Sequence, residues 1–237
     1  MRERWWQNGF FTMACFTMRL VMVSSATLAA QPAPLTPFAR QKAERLLHDK
    51  LACLGCHRIG GQGGMIAPNL DDVRLRRDPA YIAGIIADPT RVRPGAVMPK
   101  TRLSESERTL IIRYFGGDPT AVRNAPVLPQ VVTNSSAPVL YQRWCAACHG
   151  ATGNGDGSNA QYLPVAPARH ADAAATSLRS DDALFDTIYG GGVIMNRSAR
   201  MPAFGESLSE KEIRALVRHI RMLCRCEGPR WSRDGLH

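Results

Sequence analysis

The stretch WCAACHG at residues 144–150 places two cysteines three positions apart and a histidine directly after the second. A related stretch, CLGCHRI at residues 53–59, begins 92 positions before the first cysteine of the other. Residues three apart on a helical turn lie on the same face. Each pair of thiols can therefore reach two neighbouring substituents of one flat ligand, while the histidine ring approaches the centre of that ligand.

This arrangement is typical of covalent haem attachment, in which two thioether bonds hold the porphyrin edge and the histidine binds iron. A Cys-x-x-Cys pair is otherwise a disulfide, half of a zinc site or a redox pair. A zinc site needs four ligands, which the long gap between the pairs disfavours, and a thioredoxin-like motif needs a strand before it. We predict two covalently bound c-type haems, with thioether bonds at Cys53, Cys56, Cys145 and Cys148 and iron bound by His57 and His149.

Both stretches belong to a longer repeat. Glycine occurs at the fourth and sixth positions after each histidine, and the pattern Leu-Ser-Glu-x-Glu recurs at residues 103–107 and 208–212. We interpret this self-similarity as an internal duplication, whose copies are joined by a segment rich in Gly, Pro, Asn and Ser. The predicted division is a signal peptide (1–30), a first haem domain (31–115), a linker (116–136), a second haem domain (137–226) and a C-terminal tail (227–237).

Helix signals recur in both copies. Thr36-Pro37 and Asp78-Pro79 each combine a capping side chain with a first-turn proline, and the first of these helices is predicted to run to about Lys50. Two capping boxes pair Ser104 with Glu107 and Ser209 with Glu212. After the second box, apolar residues at helical spacing define one face: Ile213, Leu216, Val217, Ile220 and Leu223. Neither copy has sustained strand alternation, so we predict an all-α fold with two tandem domains, each wrapped around one haem.

Each iron has a further axial position, for which Met98 and Met201 are the predicted ligands. Each methionine precedes a proline and the last helix of its copy, and proline restricts the backbone of such a loop. A thioether is a soft, neutral ligand that raises the potential. A single methionine is usually a core filler, but the matched placement favours ligation. Met195 is the alternative to Met201, whereas Met65 follows His57 closely and is expected to stay on the histidine side.

Several further residues have predicted environments. A haem-binding histidine donates its second ring nitrogen to an acceptor, which we expect to be the carbonyl of Pro68 in the first copy and that of Pro167, rather than Pro164, in the second. Solvent or surface roles are expected for the other histidines, His48, His170, His219 and His237. The two remaining cysteines, Cys224 and Cys226, have no counterpart in the first copy. They pair with each other, pair with another chain, or stay free.

The N-terminus has the pattern of a secretory signal. A basic start is followed by an apolar run and by small residues, with cleavage expected near Ala30. Arg19 interrupts the apolar run, so a start at Met13 or Met18 is one alternative and an uncleaved amphipathic anchor is another. We predict a periplasmic protein, with retention at the membrane as the alternative.

The chain is basic, with a formal net charge of +10. A basic surface suits an acidic protein partner, an anionic membrane surface or nucleic acid. No Lys/Arg tract with interleaved aromatic residues is present in the sequence, which argues against nucleic acid. We expect redox protein partners with acidic docking surfaces, and association with a membrane surface as a second possibility.

The two Cys-x-x-Cys-His motifs, the two Met-Pro loops and the closing helices resemble class I cytochromes c, duplicated into a two-domain dihaem protein. The resemblance covers about residues 36–115 and 137–224. It implies helices wrapped round each haem, with the first and last helices of each domain packed together and one haem edge near the surface. It also implies the thioether, proximal and distal roles already assigned to the four cysteines, the two histidines and the two methionines.

The resemblance further implies electron transfer outside the cytoplasmic membrane. With histidine and methionine on both irons, neither iron has an open position for a substrate. We therefore expect an electron carrier rather than an enzyme, which passes single electrons to a terminal oxidase or reductase of a respiratory chain. The alternatives are a haem enzyme, such as a dihaem peroxidase or a thiosulfate-oxidising cytochrome, and a fixed electron-transfer subunit of a membrane oxidoreductase complex.

Overall fold

The computed structural model describes residues 34–124, here called the first half, and residues 135–232, the second half. The predicted signal peptide and His237 lie outside the described residues. The described part of the chain forms eleven α-helices: α1 Pro37–Arg45, α2 Cys53–Cys56, α3 Val73–Arg76, α4 Pro79–Ala87, α5 Pro89–Val92, α6 Glu105–Tyr114, α7 Ala137–Trp144, α8 Ala146–His149, α9 Ala173–Thr176, α10 Asp181–Gly190 and α11 Glu210–Cys224.

Other regular structure is short. A π-helical turn, Leu46–Lys50, extends α1, and 3-10 helices occur at Pro119–Asn124, Ala160–Tyr162, Gly192–Met195 and Arg230–Ser232. Strands β1 (Arg58–Ile59) and β2 (Gln62–Gly63) form an antiparallel pair in which Arg58 lies opposite Gly63. The described residues are therefore largely helical with little strand, as the sequence predicts. None of the described helices is both long and apolar enough to cross a bilayer.

The predicted helix starts are confirmed. Thr36 Oγ1 accepts a hydrogen bond from Ala39 N, and Asp78 Oδ1 accepts one from Tyr81 N, with proline at the first helical position in both cases. Both capping boxes are complete: in each, the serine hydroxyl accepts from the N3 backbone and the N3 glutamate accepts from the serine backbone. These contacts satisfy backbone donors that the first turn of a helix leaves unpaired.

Each half has its own apolar core between its first and last long helices. In the first half, α1 packs on α6, and the core consists of Ala43, Leu47, Leu51, Ile82, Ile111 and Phe115. In the second half, α7 packs on α11 around a larger cluster that includes Leu140, Tyr141, Leu184, Phe204 and the apolar face of α11. Four of the five residues predicted for that face are buried, and Leu223 packs against the cluster at its edge. Each fully buried aliphatic side chain contributes ~1.5–3 kcal/mol to folding.

Part of the segment predicted as a linker is folded. The 3-10 helix Pro119–Asn124 contacts α4, and Asp118 N donates to Pro79 O over 3.1 Å. Gly117 is buried, and a Cβ there would lie 2.8 Å from Ile112. Residues 116–124 therefore pack with the first half, and residues 125–134 lie outside the described part of the chain.

Candidate haem sites

The first site is built on the short helix α2. Cys53 and Cys56 stand at its two ends, and Leu54 and Gly55 between them are buried. Burial raises the pKa of the Cys53 thiol to about 11 and that of Cys56 to about 12. Both groups are therefore protonated, uncharged thiols at neutral pH. Their buried surroundings suit the apolar edge of a ligand.

The second site has the same local build. Cys145 caps the end of α7, and α8 carries Cys148 and His149. Burial, and to a smaller extent the neighbouring charge of Cys148, raises the pKa of Cys145 to about 12. The four cysteines of the two motifs are free thiols. Each pair thus remains available for the two thioether bonds that a c-type haem requires.

Both motif histidines have one ring nitrogen engaged. His57 Nδ1 lies 2.7 Å from Pro68 O, as predicted. His149 Nδ1 lies 2.9 Å from Ala168 O, so the prediction of Pro167 is wrong by one residue. The reason is that the Pro167 carbonyl faces Gly155 instead of His149: its oxygen lies 3.0 Å from the position that a Cβ of Gly155 would occupy. With Nδ1 donating to a carbonyl, Nε2 is the nitrogen left to bind a metal.

Burial also determines the protonation state of the two rings. It lowers the pKa of both His57 and His149, while the carbonyl partner of each ring acts in the opposite direction. Both rings are therefore neutral imidazoles at neutral pH. A neutral imidazole with Nδ1–H fixed by a carbonyl has the form in which histidine binds a metal ion.

The two Met-Pro loops lie in irregular backbone just before the last helix of each half. Met98 and Met201 are both partly buried. Met201 packs against the second core, and its carbonyl accepts from Gly192 N over 3.1 Å. The alternative residue, Met195, ends the 3-10 helix Gly192–Met195. A Cβ on Gly192 would collide with Ser198 O and would lie 3.3 Å from Met201 Cβ, so glycine is needed for the loop to approach this closely.

A cluster of aromatic and imidazole rings surrounds His149, and sequence reasoning missed it. The ring of His170 stacks on that of His149, and Tyr141 Oη lies 2.9 Å from His170 Nδ1. The ring of His219 lies 5.0 Å from that of Tyr141, with its Nδ1 buried and unpartnered within the described residues. The expectation of solvent or surface roles is therefore wrong for His170 and His219, whereas His48 is exposed.

The position of His219 carries a signal that could have revealed this cluster. It lies three residues after the buried Leu216 on α11, so its side chain is at the edge of the apolar face. Burial lowers the pKa of His219. Burial, followed by the charges of His149, Arg179 and His219, lowers the pKa of His170 to about 3. Both rings are neutral near His149.

The two sites are close to each other. A charge on Cys148 contributes to the raised pKa of Cys56. Asn159, which is fully buried, donates from Nδ2 to Gly55 O over 2.7 Å and contacts Cys148 Sγ at 3.4 Å. One asparagine of the second half therefore touches the attachment segments of both halves. No motif in the sequence indicated this contact.

The remaining two cysteines lie apart from both motifs. Cys224 and Cys226 form a disulfide with Cα atoms 5.1 Å apart, which is the first of the three possibilities that the sequence left open. Arg221 holds the adjoining chain: its guanidinium donates to Asp181 Oδ1 and to Thr176 O. The disulfide and the hydrogen bonds of Arg221 together stabilise the end of α11.

The described residues fit a covalently attached haem at both sites. Each site offers two free thiols three residues apart, an adjacent neutral histidine with Nδ1 held by a carbonyl, and a partly buried methionine in a loop of the same half. Histidine and methionine are the iron ligands of electron-transfer cytochromes, and paired cysteines are the attachment points of c-type haem.

Comparison with protein families finds a match to the second half of the chain. The family model described as cytochrome C oxidase, cbb3-type, subunit III matches residues 134–220, a region that contains the second motif and Met201. Neither the curated proteins nor the solved structures that were compared include a match to this chain. The family match supports a c-type cytochrome that binds haem c covalently and takes part in electron transfer.

Proposed function

We propose that the chain is a periplasmic dihaem c-type cytochrome that carries single electrons between respiratory redox partners. The observation that carries this proposal is the occurrence of two equivalent sites. In each, a Cys-x-x-Cys-His segment follows the first long helix, and the histidine Nδ1 is held by a backbone carbonyl at 2.7 or 2.9 Å. The family match to residues 134–220 supports the second site independently.

Eight residues would hold the two haems. Thioether bonds would form at Cys53 and Cys56 in the first half and at Cys145 and Cys148 in the second. The iron ligands would be His57 with Met98 and His149 with Met201. When bound, each haem supplies an iron that gains or loses one electron. The protein residues orient the group, exclude water from it and favour the reduced state through the methionine sulfur.

The ligand set favours a carrier over an enzyme. Chemistry on a substrate at iron needs an open or labile axial position, whereas a histidine and a methionine at each site would fill both positions. The carbonyls of Pro68 and Ala168 hold the two histidine rings in one orientation, which limits the rearrangement that accompanies a change of charge. A rigid, closed ligand set is suited to repeated single-electron exchange.

The partner is proposed from charge. Residues 1–30 contain three arginines and one glutamate, so the rest of the chain carries +8 of the formal net charge of +10. Opposite charge on a partner steers encounter and orients docking. We propose a redox protein with an acidic docking surface, such as a terminal oxidase or reductase.

A second candidate function follows from the description of the matched family, which is a subunit of a cbb3-type oxidase. In this alternative the chain is a fixed electron-transfer subunit of a membrane oxidoreductase complex. Washing membranes without detergent distinguishes the carrier from the fixed subunit. A carrier is released with the soluble fraction, whereas a fixed subunit stays with the oxidase and copurifies with it once detergent is added.

The number of haems tests the main proposal. A pyridine haemochrome assay on the purified protein should give two haems per chain, and each double variant, Cys53→Ser/Cys56→Ser and Cys145→Ser/Cys148→Ser, should give one. The matched control Cys224→Ser/Cys226→Ser changes two cysteines outside the motifs and should keep two. One haem in the wild-type protein would refute the dihaem proposal. Ready binding of carbon monoxide by the reduced wild-type protein would instead favour an enzyme.

A further inference from the structure

The two halves contact each other in a crosswise manner. Arg143, two residues before Cys145, donates from Nη2 to Gly95 O at 3.0 Å and to Ala96 O at 3.3 Å, in the loop that leads to Met98. Conversely, Arg200, which directly precedes Met201, donates to His48 O over 3.2 Å at the end of the first long helix. Each methionine loop therefore lies near the segment that leads to the attachment motif of the other half.

The contact between Arg200 and α2 is close enough to restrict the sequence. A Cβ on Gly55 would overlap Arg200 O. Two further bonds continue the interface beside Met98: Lys100 N donates to Ser207 Oγ over 2.8 Å, and Arg102 Nε donates to Glu206 Oε1 over 2.9 Å. The halves are thus joined through the segments that carry the predicted haem-binding residues.

Asn159 lies at the centre of this interface. Its side chain is fully buried. Nδ2 donates to Gly55 O over 2.7 Å, Oδ1 accepts from Met65 N over 2.8 Å, and its own backbone N donates to Ala147 O over 2.9 Å. The asparagine therefore ties α8 of the second half to α2 of the first half and to Met65, two residues after β2.

Only an amide side chain satisfies all of these partners. An asparagine supplies a donor and an acceptor on one short side chain, whereas an aspartate cannot donate to the Gly55 carbonyl and an aliphatic residue satisfies neither group. An unpaired buried backbone group is costly. The surrounding packing is also tight, since a Cβ on Gly64 would lie 2.7 Å from Asn159 Oδ1 and 2.5 Å from Gly55 O.

The same contact places Asn159 against the predicted haem attachments. Nδ2 is 3.4 Å from Cys148 Sγ and also bonds the residue before Cys56. Haems attached through Cys56 and Cys148 would therefore be held close together.

We propose that Asn159 is a positioning residue that fixes the two haem-attachment segments relative to each other and so sets the rate at which electrons pass between the two haems within one chain. The inference rests on the proposed dihaem function. Electron exchange between two centres depends on their separation and on its constancy. A side chain that is buried and bonded to both attachment segments controls both.

The test is the rate of exchange between the haems in Asn159→Ala, measured after photoreduction of a fraction of the haems in the intact protein. The matched control is Asn154→Ala, since Asn154 lies in the same loop but is exposed and bonds only locally, to Thr152 Oγ1. We expect Asn159→Ala to retain two haems and to slow the exchange several-fold, and Asn154→Ala to match the wild type. A merely structural role would lower the unfolding temperature and leave the exchange in the folded protein unchanged.

A second variant keeps the proposal testable if Asn159→Ala does not fold. Asn159→Asp keeps the size of the side chain and the acceptor for Met65 N but cannot donate to Gly55 O, so it is expected to fold and to slow the exchange to a smaller extent. Dipolar broadening between the two ferric centres in electron paramagnetic resonance gives a separate measure of their separation, which should increase or become more variable in both variants. Two haems with unchanged exchange and unchanged broadening would overturn the role of Asn159 alone. One haem per wild-type chain would overturn the proposed function and this inference with it.

Discussion

The ring of His170 lies on the ring of His149, with centroids 4.1 Å apart and planes inclined by 14°. Ala168 O holds Nδ1 of His149, and Tyr141 Oη lies within hydrogen-bond distance of His170 Nδ1. The orientation of this predicted iron ligand is thus fixed by one contact at its edge and one on its face. Neither His170 nor Tyr141 belongs to the attachment motif.

The stacked pair predicts a change confined to one haem. His170→Ala removes the contact on the face of His149 and leaves its bond to Ala168, so we expect two haems per chain and a shift of one midpoint potential, on the order of tens of millivolts. A spectroelectrochemical titration measures both potentials. The control is His48→Ala, an exposed position, for which neither potential should move. Equal shifts of both potentials in His170→Ala would contradict this local role.

The axial methionines are tested by their near-infrared band. Oxidised haem with a methionine ligand has a weak sulfur–iron absorption, so Met98→Ala and Met201→Ala should each remove about half of its intensity. Each variant should also allow one haem to bind carbon monoxide. Met195→Ala, at the end of the neighbouring 3-10 helix, should keep the full band. If Met195→Ala halves the band and Met201→Ala does not, the ligand of the second half is Met195.

Glu107 predicts a pH dependence of stability. Its hydrogen bond to Lys50, together with its bonds to Ser104, lowers the pKa of the carboxyl from 4.5 to about 2. The folded state therefore favours the carboxylate. Stability from this group is fully present above about pH 4.5 and is lost as the pH falls towards 2.

Glu107→Gln should cost about 1 kcal/mol of unfolding free energy at neutral pH, because the variant keeps part of the capping box and loses the ion pair. The difference from the wild type should shrink steadily below about pH 4.5, as followed by chemical denaturation at several pH values. Glu105→Gln is the control, since Glu105 occupies the same first turn without closing the capping box. A difference that stays constant with pH would show that Glu107 acts only through packing.

Gly55 tests the crosswise packing. The corresponding position of the second motif is Ala147, yet an alanine at position 55 would collide with Arg200 O. Gly55→Ala should therefore destabilise the holoprotein by about 1–3 kcal/mol, as overpacking does. Ala147→Gly should cost only about 1 kcal/mol through helix propensity. Thermal unfolding compares the two. A neutral Gly55→Ala would mean that the halves do not meet at this point.

Arg221 is predicted to stabilise the end of α11. Its guanidinium donates from Nε to Asp181 Oδ1 over 2.8 Å and from Nη1 to Thr176 O over 3.0 Å, and it also reaches Arg179 O. A lysine keeps the charge but cannot make these bonds at once, so Arg221→Lys should lower the unfolding free energy by about 1–3 kcal/mol. Arg218→Lys, at an exposed position of the same helix, should have little effect. Urea denaturation measures both, and equal losses would contradict the prediction.

The features that the sequence predicts well depend on nearby residues. Helix starts at Thr36, Asp78, Ser104 and Ser209 follow from a capping side chain and its neighbours within three positions. The Pro68 partner of His57 lies only eleven residues away. The choice of Pro167 for His149 failed by one residue because the direction of a carbonyl in a loop depends on the packing at Gly155.

The features that the sequence did not predict depend on residues far apart in the chain. Asn159 bonds Gly55 and Met65 across 104 and 94 residues, and Arg200 bonds His48 across 152 residues. An internal duplication indicates that two similar units exist, but it does not specify which of their surfaces meet. The rings around His149 were missed for the same reason, since α7, the loop at His170 and α11 come together only in the folded chain.

The buried thiols impose an order on the maturation of the protein. A cysteine reacts most readily as an exposed thiolate. The closed fold instead raises the pKa of Cys53, Cys56 and Cys145 to about 11 or 12. Asn159 and Arg200 further cover the segment that carries Cys53 and Cys56. In the proposed dihaem protein the thioether bonds would therefore form while the chain is still open, and the two halves would close on each other only afterwards.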